Sequence, residues 1–337
     1  MGYFVGIDEA GYAPNLGPLV IAATLWRVPG SPRKCGDLYD RLSSIICREV
    51  PKRRKTLAAP HDSAGDREHE PSPLPIADSK LLYNPQLGLA TLEHGVLCML
   101  RSAGLRPRDW RTLWEAVTPE SLAQRDAVPW HNGFNPRLPL VANRKQLRAH
   151  VPALKSGLRQ AGVRLLAVQA TAIFPDQLNA AVRRFGSKGS ALSHATIELL
   201  ARTLQQCKKS PVLVVGDKHG GRNFYGRFLQ EQFPDYLVEV RGESERISNY
   251  RFGPRERRVE VQFRVRGEEV LPVALASMVA KYFRELCMRA FNDFWCTRVP
   301  GLKATAGYPR DALRFKRQIE AVQAQLGIDD LQLWRIR

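Results

Sequence analysis

Several things are missing from this 337-residue chain, and each absence excludes a class. The six cysteines (Cys35, Cys47, Cys98, Cys207, Cys287 and Cys296) are scattered, with no CxxC pair. That pattern argues against a disulfide scaffold or a structural zinc site and for reduced thiols in a cytoplasm. No run approaches the ~20 apolar residues a membrane helix needs. The opening stretch MGYFVGIDEAG lacks the basic n-region of a secretory signal and brings in carboxylates at once, so no export signal is expected. Glycines surround Asp217 (Gly216, Gly220, Gly221) without the lysine spacing of a phosphate-binding loop.

Negative charge is also scarce. Lys and Arg number 51 against 33 Asp and Glu, a formal net charge of +18. From Ala127 to Ile197 the one acid is Asp176, against ten Lys and Arg. A second cationic stretch, Arg251 to Arg258, lies in what reads as an Arg-rich loop. Such a balance points to an anionic partner, nucleic acid first. The apolar share of 44% is that of a globular protein, so wholesale disorder is excluded.

Hydrophobic patterning then gives an α/β reading. Tyr3–Ile7 and Leu19–Trp26 are apolar runs of strand length separated by a turn-rich stretch. Val163–Phe174, Pro211–Gly216, Leu237–Arg241 and Val259–Arg266 read as further strands, the last alternating cleanly. Leu87–Leu100, Pro107–Val117, Ala191–Gln206, Val273–Phe294 and Asp311–Leu326 read as helices. Lys52–Pro75 is polar and Pro-rich and reads as a flexible loop.

The chemistry sits at strand ends. Asp8 and Glu9 follow the first strand, and Asp217 ends the run Val212–Val215. Acids in such places are costly unless they meet a cation. Gathered carboxylates are what Mg2+ or Mn2+ require. Adjacent strand side chains point to opposite faces, so Asp8 and Glu9 both reach one site only if the backbone bends there.

These residues resemble a known family. Gly6-Ile7-Asp8-Glu9-Ala10-Gly11, followed by Gly17-Pro18-Leu19-Val20, is similar to the opening signature of type 2 ribonuclease H (ribonuclease HII). Asp78-Ser79-Lys80-Leu81, Val214–Asp217, Ala276-Ser277-Met278-Val279-Ala280-Lys281 and Gly307-Tyr308-Pro309 resemble further family segments, in the same order. The resemblance implies a ribonuclease H-like α/β core, a central mixed sheet flanked by helices. It also implies insertions at about 28–75, 100–162 and 241–258, a domain over 1–310 and a helical tail over 311–337.

It further implies a metal-dependent endonuclease that holds two divalent ions, Mg2+ or Mn2+. Its substrate would be the RNA strand of RNA–DNA hybrids, or ribonucleotides embedded in DNA, leaving 3′-OH and 5′-phosphate ends. Asp8, Glu9 and Asp217 take three catalytic, metal-binding places. Glu268 fits the fourth by its spacing to Pro272, with Glu269 as runner-up and Glu285 as a secondary candidate. In either case a Glu stands where the family has Asp. Gly11, Tyr12, Ala13, Lys80 and Tyr308 fall at substrate-binding positions, and Arg222 and Lys281 are further candidates for phosphate contacts. The family carries an Arg where this chain has Tyr12, which opens the question of substrate choice. Two other readings stand beside this one: a non-catalytic nucleic-acid-binding protein of the same fold, and a related metal nuclease with a different substrate. His194 is expected to be packed or capping, and His219 to be a loop residue.

Overall fold

A computed structural model describes residues 1–49, 72–83 and 87–336. Most of the stretch read as a Pro-rich loop, Lys52–Pro75, lies outside the described residues.

A seven-stranded mixed sheet forms the centre. Its strands are β1 (Gly2–Ala10), β2 (Leu19–Val28), β3 (Arg164–Ile173), β4 (Val212–Asp217), β5 (Glu239–Glu243), β6 (Ile247–Phe252) and β7 (Val259–Arg264). The spatial order is β3-β2-β1-β4-β7-β6-β5. The three middle strands β1, β4 and β7 run parallel, and the outer pairings are antiparallel.

Alternation sorts the side chains of the middle strands onto two faces. Tyr3, Val5 and Ile7 join Val212 and Val214 in one core with α4 (Pro175–Phe185) and α5 (Lys188–Gln205). Phe4 joins Leu213 and Val215 in the other. That second face is covered by the 26-residue helix α7 (Leu271–Cys296), with α1 (Ala90–Ser102), α2 (Trp110–Val117) and α3 (Arg144–Gln160) packed beyond it. A short helix, α6 (Gly226–Gln232), follows β4. A third cluster joins Leu16, Trp130, Phe291 and Trp295 to α8 (Pro309–Gln325) and to Leu333. This is the expected α/β architecture, a central mixed sheet flanked by helices.

Three local expectations change. The segment after Arg241 is a hairpin, β5 to β6, that continues the sheet. Its Arg251 is held by Glu239 across the pair at 2.5 Å, so part of the Arg-rich stretch is strand. Helices α3 and α4 carry no matching sequence reading. In α3 the buried face is only Leu147, Leu154 and Leu158, and Pro152 interrupts the pattern. Finally, the chain does not bend at Asp8-Glu9. β1 stays paired with β2 through Ala10 and turns only at Gly11, whose φ of +86° suits glycine.

Candidate metal and nucleic-acid site

The site lies at the carboxyl ends of the three parallel strands, where open α/β sheets leave a crevice. Ile7 pairs with Gly216, so Asp8 and Asp217 are the next residues of two neighbouring strands. By alternation both point to the α7 face, roughly one strand spacing of about 4.8 Å apart. The turn after β7 supplies Glu268. Gly267 packs so closely on β4 that an added Cβ would lie 2.9 Å from the Asp217 nitrogen, and its N–H donates to Asp217 Oδ1 at 3.1 Å. That contact fixes the Gly267–Glu269 turn beside Asp217.

Burial and mutual repulsion act on three of these acids. Asp8 is pushed up to about 7, first by burial and then by Asp217 and Glu268, although the Ser277 hydroxyl donates to it. Glu9 is raised well above the usual carboxylate range by burial, Asp8 and Asp217, against a downward pull from Lys80. Burial also raises Glu268, with Asp217 and Asp78 adding to it and Lys80 opposing. Glu9 shares this field from the neighbouring strand position without any bend. Among the described residues, none of Asp8, Glu9, Asp217 and Glu268 takes part in an ion pair.

The alternatives for the fourth acid go elsewhere. Glu269 is exposed and lies 3.8 Å from both Arg264 and Arg266. Glu285 accepts from Tyr83 at 2.7 Å and from Lys281 at 2.6 Å. Lys281 is therefore committed to Glu285, which leaves it poorly placed as a phosphate contact.

A hydroxyl relay ties in the Asp78-Ser79-Lys80 segment. Ser79 Oγ lies 3.0 Å from Ser277 Oγ, and Ser277 reaches Asp8. Asp78 caps the short helical turn Ser79–Leu82, which leaves Lys80 exposed beside the acids. Across the site, a Cβ added at Gly220 or Gly189 would lie 3.8 Å or 3.6 Å from the Tyr12 hydroxyl, so Tyr12 bridges the β4 loop and the start of α5. The Lys188 ammonium stands 5.2 Å from its ring centroid. Arg222 donates to Ser190 Oγ at 3.2 Å. Ala13 is exposed, and Tyr308 is 53% exposed at the start of α8.

Several supporting residues escaped the sequence reading. Lys218, directly after Asp217, bonds to Asn223 Oδ1 (2.7 Å), the Ser244 carbonyl (2.6 Å) and Ser248 Oγ (3.1 Å), and so pins the β4 loop to the hairpin. His219 sits in the loop after β4, as expected, and is buried there at 4% exposure, packed on Tyr225 and Phe263 and 3.0 Å from Ser193 Oγ. Burial lowers it to about 3. His194 stacks on Phe185 at 3.8 Å, the packed role expected of it.

Asp8, Glu9 and Glu268, each raised by burial and by the Asp217 charge and none of them in an ion pair among the described residues, form with Asp217 a donor set suited to hard divalent cations. As the side chains stand, no three of the described His, Cys, Asp or Glu residues form a finished ligand group. The fit thus lies in donor chemistry and in the shared strand ends.

No protein-family model matches the chain, and no curated protein matches it. Among solved structures it is similar to ribonuclease HII of Archaeoglobus fulgidus in complex with PCNA, with 14% identity, 99% of this chain and 94% of that one covered, and a TM-score of 0.38. It is also similar to ribonuclease H2 of Pyrococcus horikoshii OT3 (14%, 98% and 92%, TM-score 0.39). A third is Bst-RNase HIII with Mn2+ (14%, 99% and 65%, TM-score 0.38). All six cysteines are free. Among the described residues no helix is long and apolar enough to cross a membrane.

Proposed function

We propose that the chain is a metal-dependent nuclease of the type 2 ribonuclease H kind. It would hydrolyse the RNA strand of RNA–DNA hybrids, or ribonucleotides embedded in DNA. The observation that carries this reading is the placement of Asp8 and Asp217 at neighbouring parallel strand positions, with the Gly267–Glu269 turn held against Asp217 and Glu9 next along β1, in a chain of +18 charge.

Bound divalent ions would supply charge neutralisation at both the attacking and the leaving oxygen, and a lowered pKa for water. The chain's own residues do the rest. Asp8, Glu9, Asp217 and Glu268 are the proposed ligands. Ser277 orients Asp8, and Gly267 holds one oxygen of Asp217, leaving the other free to bind. Main-chain groups of Gly11, Tyr12 and Ala13 line the approach from the β1 turn, where a ribose 2′-OH would be read. Exposed Lys80 gives a cation for a phosphate, and Tyr308 gives a flat, exposed ring for a sugar.

Tyr12 carries no charge, so phosphate attraction at this turn rests on its neighbours Lys188 and Arg222. A binding-only role is favoured by one observation, the lack of a finished ligand group among the described residues. The deciding experiment incubates the protein with a hybrid and with a singly ribo-substituted duplex in Mg2+ or Mn2+. Metal-dependent cleavage that Asp8→Asn abolishes supports the nuclease. Salt-sensitive binding without cleavage in either metal replaces it with the binding role.

A further inference from the structure

Away from the carboxylates, a groove of about 370 Å³ opens between the end of α1, the loop 106–108 and α3. Arg101, Arg106, Arg108, Arg148 and Lys155 line it, and no acid does. None of these five side chains makes an ion pair or a side-chain hydrogen bond with another described residue. On α3 the stripe Arg148, Val151, Pro152, Lys155 follows helical i, i+3, i+4, i+7 spacing, so its two cations flank an apolar centre. Buried Leu147 and Pro107 complete the floor. Five like charges held together with no counter-charge among the described residues repel one another, and an anionic ligand relieves that cost.

The groove is connected to the carboxylate site through α1. Gly95 of α1 packs on Met278, the neighbour of the Ser277 that binds Asp8. Arg101 lies six residues further along α1, about 9 Å along its axis.

We propose that this groove is a second nucleic-acid contact, which grips the phosphate backbone of a duplex whose scissile bond lies at the carboxylates. Arg guanidiniums suit bidentate phosphate binding, and the apolar floor excludes water beneath them. The proposal takes its ligand class from the nuclease reading.

The test compares the full chain with the exposed triple variant Arg106→Gln, Arg108→Gln, Arg148→Gln. A control of equal charge loss carries Arg227→Gln, Arg298→Gln and Arg317→Gln. Fluorescence anisotropy with a labelled RNA–DNA hybrid, in EDTA from 50 to 300 mM salt, gives affinity and salt slope. Each lost phosphate contact lowers the slope by about 0.9. The expected result is a Kd raised roughly tenfold or more and a slope lower by about 2 to 3 in the groove variant alone. Cleavage at saturating substrate is expected to stay at the wild-type rate.

Equal losses in the groove variant and the control, or none in either, overturn the proposal. So does inorganic phosphate binding that the groove variant loses while hybrid affinity holds, which would mark a small-anion site. A groove-dependent slope in a protein that never cleaves leaves the groove standing and removes the nuclease reading. Cleavage with a groove-independent slope does the reverse.

Discussion

The guanidinium of Arg335 donates to the main-chain carbonyl of Gly11, 324 residues away in sequence. The same side chain, fully buried, also reaches the carbonyls of Gly17 and of Pro14, the latter at 3.4 Å. Its backbone N–H meets the Asn15 carbonyl at 3.0 Å, and Leu16 bridges to Trp334. The turn that follows Asp8-Glu9 is therefore held by the chain's last described segment. Among the described residues no carboxylate pairs with this cation, and nearby Arg284 opposes its charge. The carbonyl oxygens do the compensating. Arg335→Ala leaves those carbonyls without a donor and is expected to cost on the order of 3 kcal/mol in urea unfolding. Arg335→Lys, which lacks the planar fork, should fall between the two. An Arg335→Ala protein that unfolds at the wild-type midpoint would show that the clamp is idle.

A second prediction concerns Asp8 without metal. Its folded pKa of about 7 lies above the ordinary 3.8, so the folded state holds a proton that the unfolded chain has released. Stability is thus penalised as pH rises from about 4 to 7, and the penalty stays above that. In EDTA at pH 8, Asp8→Asn should melt higher than wild type, with a gain of roughly 1 to 3 kcal/mol. At pH 4 the gain should vanish. Mn2+ should raise the wild-type melting temperature more than that of the variant.

The buried histidines act with the opposite sign. Burial holds His131 and His219 near 3, so neither accepts a proton that an unfolded histidine takes up below about 6.5. Each makes stability fall with acidification by about 1.4 kcal/mol per pH unit, from about 6.5 towards 3. Unfolding free energies measured in EDTA at pH 7.5, 6 and 5 give the sum of these histidine losses and the carboxylate gains. Relative to wild type, His131→Asn should remove the slope of one proton over that range. An unchanged slope would mean that His131 is already charged in the fold.

Part of the candidate site is legible because its acids break apolar runs: Asp8 follows the buried stretch Gly2–Ile7 within β1, and Asp217 ends β4 after the buried Val212–Gly216. Glu268 followed from its distance to Pro272, and the structure separates it from Glu269 and Glu285 by their arginine, lysine and tyrosine partners. Arg335 and Lys218 gave no signal, since one more cation in a chain of +18 charge carries no pattern. Helix α3 was hidden because its buried face is three leucines among polar residues. The hairpin was hidden because Glu239 and Arg251 neutralise each other across strands, a pairing that only the sheet brings about.

Glu93 is another residue that only the fold explains. Fully buried on α1, it accepts from the N–H groups of Leu140, Val141 and Ala142 (2.6 to 2.8 Å) and from the Tyr282 hydroxyl at 2.8 Å. It thereby fastens the 140–142 segment to α7, over the face that holds Asp8. Glu93→Ala strands four donors and should cost on the order of 4 kcal/mol in urea unfolding. Glu93→Gln should cost less, since its amide oxygen still accepts. Equal stability of all three proteins would place these donors in water.

The central claim is that Asp8, Glu9, Asp217 and Glu268 act together on divalent ions. Calorimetric titration of Mn2+ at pH 7.5 into wild type, Asp217→Asn, Glu268→Gln and Glu269→Gln tests it most directly. The account predicts saturable binding to wild type, affinity weakened about tenfold or more by Asp217→Asn and Glu268→Gln (at least about 1.4 kcal/mol), and no change with Glu269→Gln. Wild-type affinity retained in Asp217→Asn and Glu268→Gln, or no saturable binding to wild type, would contradict it.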